Sequence, residues 1–191
     1  MIAILTADMQ DFSARLKADE QAVIEWLTSV YYRLAEEMVH RFQGELFQRE
    51  GDAIWCRFSQ PELALQGGAW LLQQMNLYNA QRAAQEQVQL RVGIHYGDDS
   101  AETMQAAKVL ESGGRAGCLH ISEALRLQIS SELPVQRSGH QFPSYWLLPE
   151  ALAGHSELEV SALGEGSPPT PYKFLNAYEA KIGRASCRAR A

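Results

Sequence analysis

The residues of this 191-residue chain best suited to chemistry are two acids, Asp8 and Asp52. Asp8 follows an apolar run over residues 2–5 through Thr6-Ala7, and such a run reads as a buried strand. Asp52 lies in Glu50-Gly51-Asp52, a turn signal between two strand-like stretches over 46–49 and 53–58. If the first and third strands are neighbours, an acid ending one and an acid opening the other meet at the same sheet edge. Two carboxylates there could hold one or two Mg²⁺ or Mn²⁺ ions together with substrate phosphates. The plainer reading is a loop acid and a turn residue that share nothing.

The elements that must position these acids follow from periodicity. Asp19 is suited to cap a long helix whose apolar residues Val23, Ile24, Leu27, Val30, Tyr31, Leu34 and Met38 recur at three and four, and Gly44 ends it. Ser59-Gln60-Pro61-Glu62 has the pattern of a capping box opening a second helix that runs to about Asn79. Residues 88–95 alternate as a strand, stopped by Gly97-Asp98. The order is β-α-β-β-α-β. It predicts an α+β, ferredoxin-like core, an antiparallel sheet with both helices on one face. A helix over 101–111, a strand over 118–121 and a helix over 122–130 are expected as C-terminal additions. The proline-rich stretch 131–171 reads mostly as loop, and 172–175 reads as a last strand.

Five strings in this order carry a resemblance. Ala3-Ile4-Leu5-Thr6-Ala7-Asp8-Met9-Gln10-Asp11-Phe12-Ser13 is similar to the opening strand and phosphate loop of class III adenylate/guanylate cyclases. Residues 47–58, FQREGDAIWCRF, resemble the hairpin of that family that carries its second metal acid. Residues 90–98, LRVGIHYGD, resemble its L-R-(V/I)-G-I-(H/N)-x-G strand. Residues 105–111 and 117–125 resemble two further segments, so the match covers residues 2–130, and 171–176 resembles the closing strand. The resemblance implies a nucleotide cyclase-like fold in which Asp8 and Asp52 hold Mg²⁺ or Mn²⁺. It puts Met9, Phe12, Ser13, Gln48 and Met104 at nucleotide-binding positions and Lys108 at the position of a catalytic arginine. It also implies ATP or GTP as ligand, and a homodimer or a pairing with another cyclase-type domain. In that dimer one subunit supplies the metal acids and the other the remaining residues.

Departures from the pattern bear on activity. A glycine that lets phosphate approach the backbone is Asp11 here. The base-selecting lysine is Gln48, and the ribose-orienting asparagine is Met104, which lacks a strong donor. Lys108 keeps the charge of the arginine without its planar fork. A hairpin that shapes both pocket and dimer is missing, because only residues 98–103 separate the fourth strand from Met104. The expected protein is therefore a cyclase-like domain of cyclic-nucleotide signalling with a degenerate, regulatory role. A cyclase working with a variant site, and a ferredoxin-like module binding some other small ligand, are the alternatives.

Composition narrows the setting. The net charge of −6 becomes −10 over residues 1–180, because 181–191 carries four basic residues and no acid. An acidic body repels phosphate backbones, so nucleic acid is not an expected partner. No apolar run is long enough to span a bilayer, so no membrane association is expected. No signal peptide is evident, and three scattered cysteines, Cys56, Cys118 and Cys187, fit a reducing, cytoplasmic setting. A single domain is expected over 1–180, with 181–191 a vector-derived or disordered tail. Cys56 is expected to be buried and inert, and His95 to be structural. His120, His140 and His155 show no metal-ligand spacing with a cysteine.

Overall fold

The computed structural model describes residues 1–129, 133–138 and 143–152. All of them lie within one compact unit, Met1–Glu159. The strand expected over 172–175, the tail 181–191, His140, His155 and Cys187 lie outside the described residues.

The sheet is built on β1 (Ile2–Met9), which pairs antiparallel with β3 (Ala53–Phe58) on one side and with β4 (Leu90–Gly97) on the other. β2 (Glu45–Glu50) forms a hairpin with β3, with a register shift between Leu46 and Gln48. β5 (Leu119–Ser122) adds parallel to β4, and β7 (Ser144–Leu147) and β6 (Gln136–Arg137) complete the order β2-β3-β1-β4-β5-β7-β6. The last two strands fall in a stretch expected to be loop. They are two and four residues long, and their pairing is decided by the edge that β5 offers rather than by a pattern of their own.

Strand alternation sorts the side chains of β1 between two faces. Leu5 of one face meets α4 (Pro61–Asn79) at Gly68, where a Cβ would approach Leu119, Leu5 and Ile94. α3 (Tyr32–Arg41) packs on α4, and a Cβ at Gly67 would touch Met38 and Phe58. The other face carries Ile2, Ile4, Thr6 and Asp8 and is covered by α5 (Ala101–Ser112), with Ile4, Trp55 and Ala107 forming a buried apolar cluster. The expected βαββαβ core is present with its two long helices on one face. α5 on the opposite face is what the linear pattern does not tell.

Helix ends show which local signals were strong. Asp19 caps α2 (Glu20–Trp26), accepting the Ala22 N–H at 3.0 Å. The helix expected to continue from there is broken by a π-helical turn, Leu27–Tyr31, before α3. That turn lets the Tyr31 hydroxyl donate to the carbonyl of Ala7 at 3.0 Å. An additional helix, α1 (Phe12–Ala18), buries no residue and so leaves no apolar period to find. The expected capping box at Ser59–Glu62 does not form: Gln60 is the N-cap residue of α4 and makes no side-chain cap bond. Proline at the first turn makes that loss tolerable, since it removes one N–H that would need a partner. The helix expected over 122–130 shortens to α6 (Glu123–Arg126), capped by Ser122.

Candidate functional site

Asp8 is the penultimate residue of β1 and stands opposite Arg91 at the start of β4. The register makes them direct cross-strand neighbours on the α5 face. Arg91 grips the carboxylate with both prongs, Nε donating to Oδ1 at 2.9 Å and Nη2 to Oδ2 at 2.7 Å. Its Nη1 donates to the carbonyl of Ser112 at 3.3 Å, tying the pair to the end of α5. The fork geometry of a guanidinium makes this pairing strong and directional.

A second cation comes from α5. Lys108 Nζ lies 3.7 Å from Asp8 Oδ2 and is hydrogen-bonded to Glu111 Oε2, one helical turn on. The Glu111 side chain is wholly buried, and its Oε1 is 3.5 Å from Arg91 Nη2. Burial first, then its contact with Asp8, push the Glu111 carboxyl up to about 7. Hydrogen bonding to Asp8 and the nearby acids raise the Arg91 guanidinium above its ordinary range.

Asp52 joins from the β2–β3 turn, accepting the N–H of Met9 on Oδ2 at 2.9 Å. Burial raises its carboxyl, and the charge of Asp8 adds to this against the opposing pull of the Met9 N–H and Lys108. The turn is held by Tyr32, whose hydroxyl donates to the Gly51 carbonyl. Gly51 has φ +58°, the left-handed region that favours glycine. The two acids singled out in the sequence are therefore brought to one sheet edge.

The other expected site residues divide. Met9 gives its backbone N–H to Asp52 while its side chain is buried on the opposite face. Phe12 lies beside the turn, its ring 3.6 Å from where a Gly51 Cβ would stand. Ser13 is exposed in α1. Gln48, facing Trp55, donates to Glu50 Oε1 at 2.6 Å. Met104 packs, like Ile2 and Phe47, against the Ile4–Trp55–Ala107 cluster. The missing hairpin is a short connection from β4 to α5. Ser100 caps α5, and both Ser100 and Thr103 donate to Asp98 Oδ1, at 2.6 and 3.0 Å.

Two residues of the network were not singled out in the sequence, Arg91 and Glu111. Arg91 was legible in principle, because pairing the first and fourth strands in register sets it against Asp8. Glu111 offered only its spacing of three from Lys108. An open cavity of about 560 Å³ is lined by Gln10, Asp11, Arg91, Gly114, Arg115 and Ala116.

A divalent ion at this edge needs free carboxylate oxygens. Both oxygens of Asp8 are paired with Arg91, the second is also near Lys108, and Asp52 spends one oxygen on Met9. As placed, the two acids do not fit a divalent ion.

No family model matches the chain. A protein of Rhizobium meliloti (strain 1021) named "Putative adenylate cyclase 3" is 30% identical over 102 residues, 53% of this chain and 17% of the relative. The chain thus spans well under two thirds of that relative's length. Among solved structures, a monomeric double mutant of the guanylyl cyclase domain of the RhoGC fusion protein from the aquatic fungus Blastocladiella emersonii superposes with a TM-score of 0.68. The match is at 18% identity and covers 77% of this chain and 93% of that one. The guanylate cyclase domain of RhGC from Catenaria anguillulae in complex with GTP gives 0.61 at 16% identity, over 76% and 94%. The described part of the chain has the fold of the class III adenylate/guanylate cyclase catalytic domain, and the resemblance read in its sequence holds. Among the described residues, no helix is long and apolar enough to cross a membrane.

Proposed function

We propose that this chain is a divergent class III cyclase-type domain of cyclic-nucleotide signalling whose catalytic site is degenerate and whose role is regulatory. The observation that carries this reading is the pairing of Asp8 with Arg91 and Lys108 of its own chain. The acid that would hold a metal is neutralised, and the lysine that would meet transition-state charge is engaged in the same contact. Removing one preorganised transition-state donor costs about 10²–10³ in rate. Met104, Gln48 and Asp11 add further departures, and such losses are not additive but leave little of a normal reaction.

On this reading Asp8 and Asp52 stand at the positions of metal acids, and Mg²⁺ or Mn²⁺ would bind there weakly at most, since Arg91 holds both oxygens of Asp8. ATP or GTP is the ligand class, with Met9, Phe12, Ser13, Gln48 and Met104 around it. The domain works in the cytoplasm as a homodimer or beside another cyclase-type domain, and its buried free thiols, Cys56 and Cys118, suit a reducing compartment.

The test is incubation with ATP and with GTP, each with Mn²⁺, followed by chromatography and mass detection of cyclic nucleotides. No product that depends on Asp8 is expected. Product at an ordinary enzymatic rate, abolished by Asp8→Ala, would show a working cyclase and overturn the proposal.

A further inference from the structure

We infer that Tyr31 and Tyr32 are positioning residues for the acid pair, each holding the backbone one residue before a carboxylate of the site. This rests on the reading above that Asp8 and Asp52 are the acids of that site.

β1 pairs with β3 as far as Ala7, opposite Ile54, but with β4 as far as Met9, opposite Leu90. Past Ala7, among the described residues, the β3 side of β1 has no strand partner. Backbone groups there still need hydrogen bonds where they are buried. Side chains supply them. Asp52 accepts the Met9 N–H at 2.9 Å, and the Tyr31 hydroxyl donates to the Ala7 carbonyl at 3.0 Å. The hydroxyl of the next residue, Tyr32, donates to the Gly51 carbonyl. Ala7 precedes Asp8, and Gly51 precedes Asp52. Two consecutive hydroxyls thus fix the peptide groups that lead into the two acids.

The π turn Leu27–Tyr31 ends between these tyrosines, with Tyr32 opening α3. Such turns are rare and often sit at functional sites. Both rings are held. Tyr31 is fully buried and stacks on Trp26 with centroids 5.4 Å apart. The Arg49 guanidinium lies over the Tyr32 ring, 5.0 Å from its centroid, and is itself paired with Glu36. Burial first, then Cys56, Asp52 and Asp8, raise the Tyr31 phenol, so it stays a protonated donor. A buried tyrosine needs some partner for its hydroxyl. A core role alone does not account for two in succession taking the peptides before the two acids.

The experiment is hydrogen exchange by NMR on the isotope-labelled full chain. The Met9 N–H reports Asp52, whose carboxylate holds it, and the Val88 N–H, held by Asn79, reports the rest of the fold. Tyr32→Phe is expected to speed Met9 exchange roughly threefold to tenfold and leave Val88 at its native rate. Combined with Asp52→Ala, it is expected to exchange Met9 no faster than Asp52→Ala alone, because the hydroxyl acts through that carboxylate. For Tyr31→Phe the probe is the Arg91 Nε–H, which donates to Asp8 Oδ1 and is expected to exchange faster by a similar factor. Equal acceleration at Met9 and Val88 would be loss of stability alone and overturns the inference. An unchanged Met9 rate, or a double variant faster than Asp52→Ala, also overturns it. An unchanged Arg91 signal, or a Tyr31→Phe chain that does not fold, makes Tyr31 a core residue only and overturns its half. Cyclic product from the native chain would instead overturn the proposed function, so the two failures are told apart.

Discussion

Asp11 shows how a residue can change while its backbone does not. It stands at φ 61°, ψ 24°, the left-handed region, at the position where the resembled family has glycine. Asparagine and aspartate tolerate that region better than other non-glycine residues, and β-branched ones tolerate it worst. Asp11→Gly is expected to leave stability within about 0.5 kcal/mol, while Asp11→Val costs about 1–2 kcal/mol, both read by urea unfolding. His95 makes a second residue-scale case. It faces Ile4 across the β1–β4 pair and is half-buried, its Nδ1 buried without a partner. Burial holds its pKa below the ordinary value of 6.5. The unfolded chain therefore takes up the proton first as pH falls, and the native state loses stability on going below about 6.5. The native chain is expected to lose more melting temperature between pH 7 and pH 5.5 than His95→Asn does, and parallel curves would refute this.

The α5 helix is the element that decides the site. It delivers Lys108 and Glu111 to Asp8, and its close approach depends on Gly93 having no side chain. At Gly93 an added methyl meets backbone, which yields only if the helix moves. At Gly68 it meets the tips of Leu119, Leu5 and Ile94, which rearrange more easily. Gly93→Ala is thus expected to cost about 1–3 kcal/mol in chemical denaturation, and Gly68→Ala distinctly less. At the far end of the core, Asn79 exchanges two hydrogen bonds with the backbone of Val88, at 2.7 and 2.9 Å, fixing where α4 hands the chain to β4.

For the whole molecule, the short β4–α5 connection bears on assembly. Where the resemblance implies a hairpin that helps form a dimer, this chain has three residues between Gly97 and Ala101, and the Asp98 carboxylate accepts from Ser100 and Thr103 across that turn. A dimer without that hairpin has less surface to bury, and small interfaces give weak, concentration-dependent association. Sedimentation velocity from about 1 to 100 µM is expected to show a shift from monomer toward dimer, the micromolar range that such interfaces reach. A sedimentation coefficient unchanged over that range would argue against self-pairing and favour a different cyclase-type partner.

Much of this was legible in the sequence because it is local. Alternation and turn residues gave the strands and the hairpin at Gly51, helical spacing gave the long helices, and the side chain of Asp19 gave a cap. Topology then brought Asp8 and Asp52 to one edge. Closure of the site was decided by tertiary structure. That Arg91 and Lys108 both fall on Asp8 depends on the register of β1 with β4 and on the face of the sheet that α5 covers, and neither is set by residues near Asp8 in the chain. A buried carboxylate takes whichever cation the fold brings within reach, and here the fold brings two from positions more than eighty residues away.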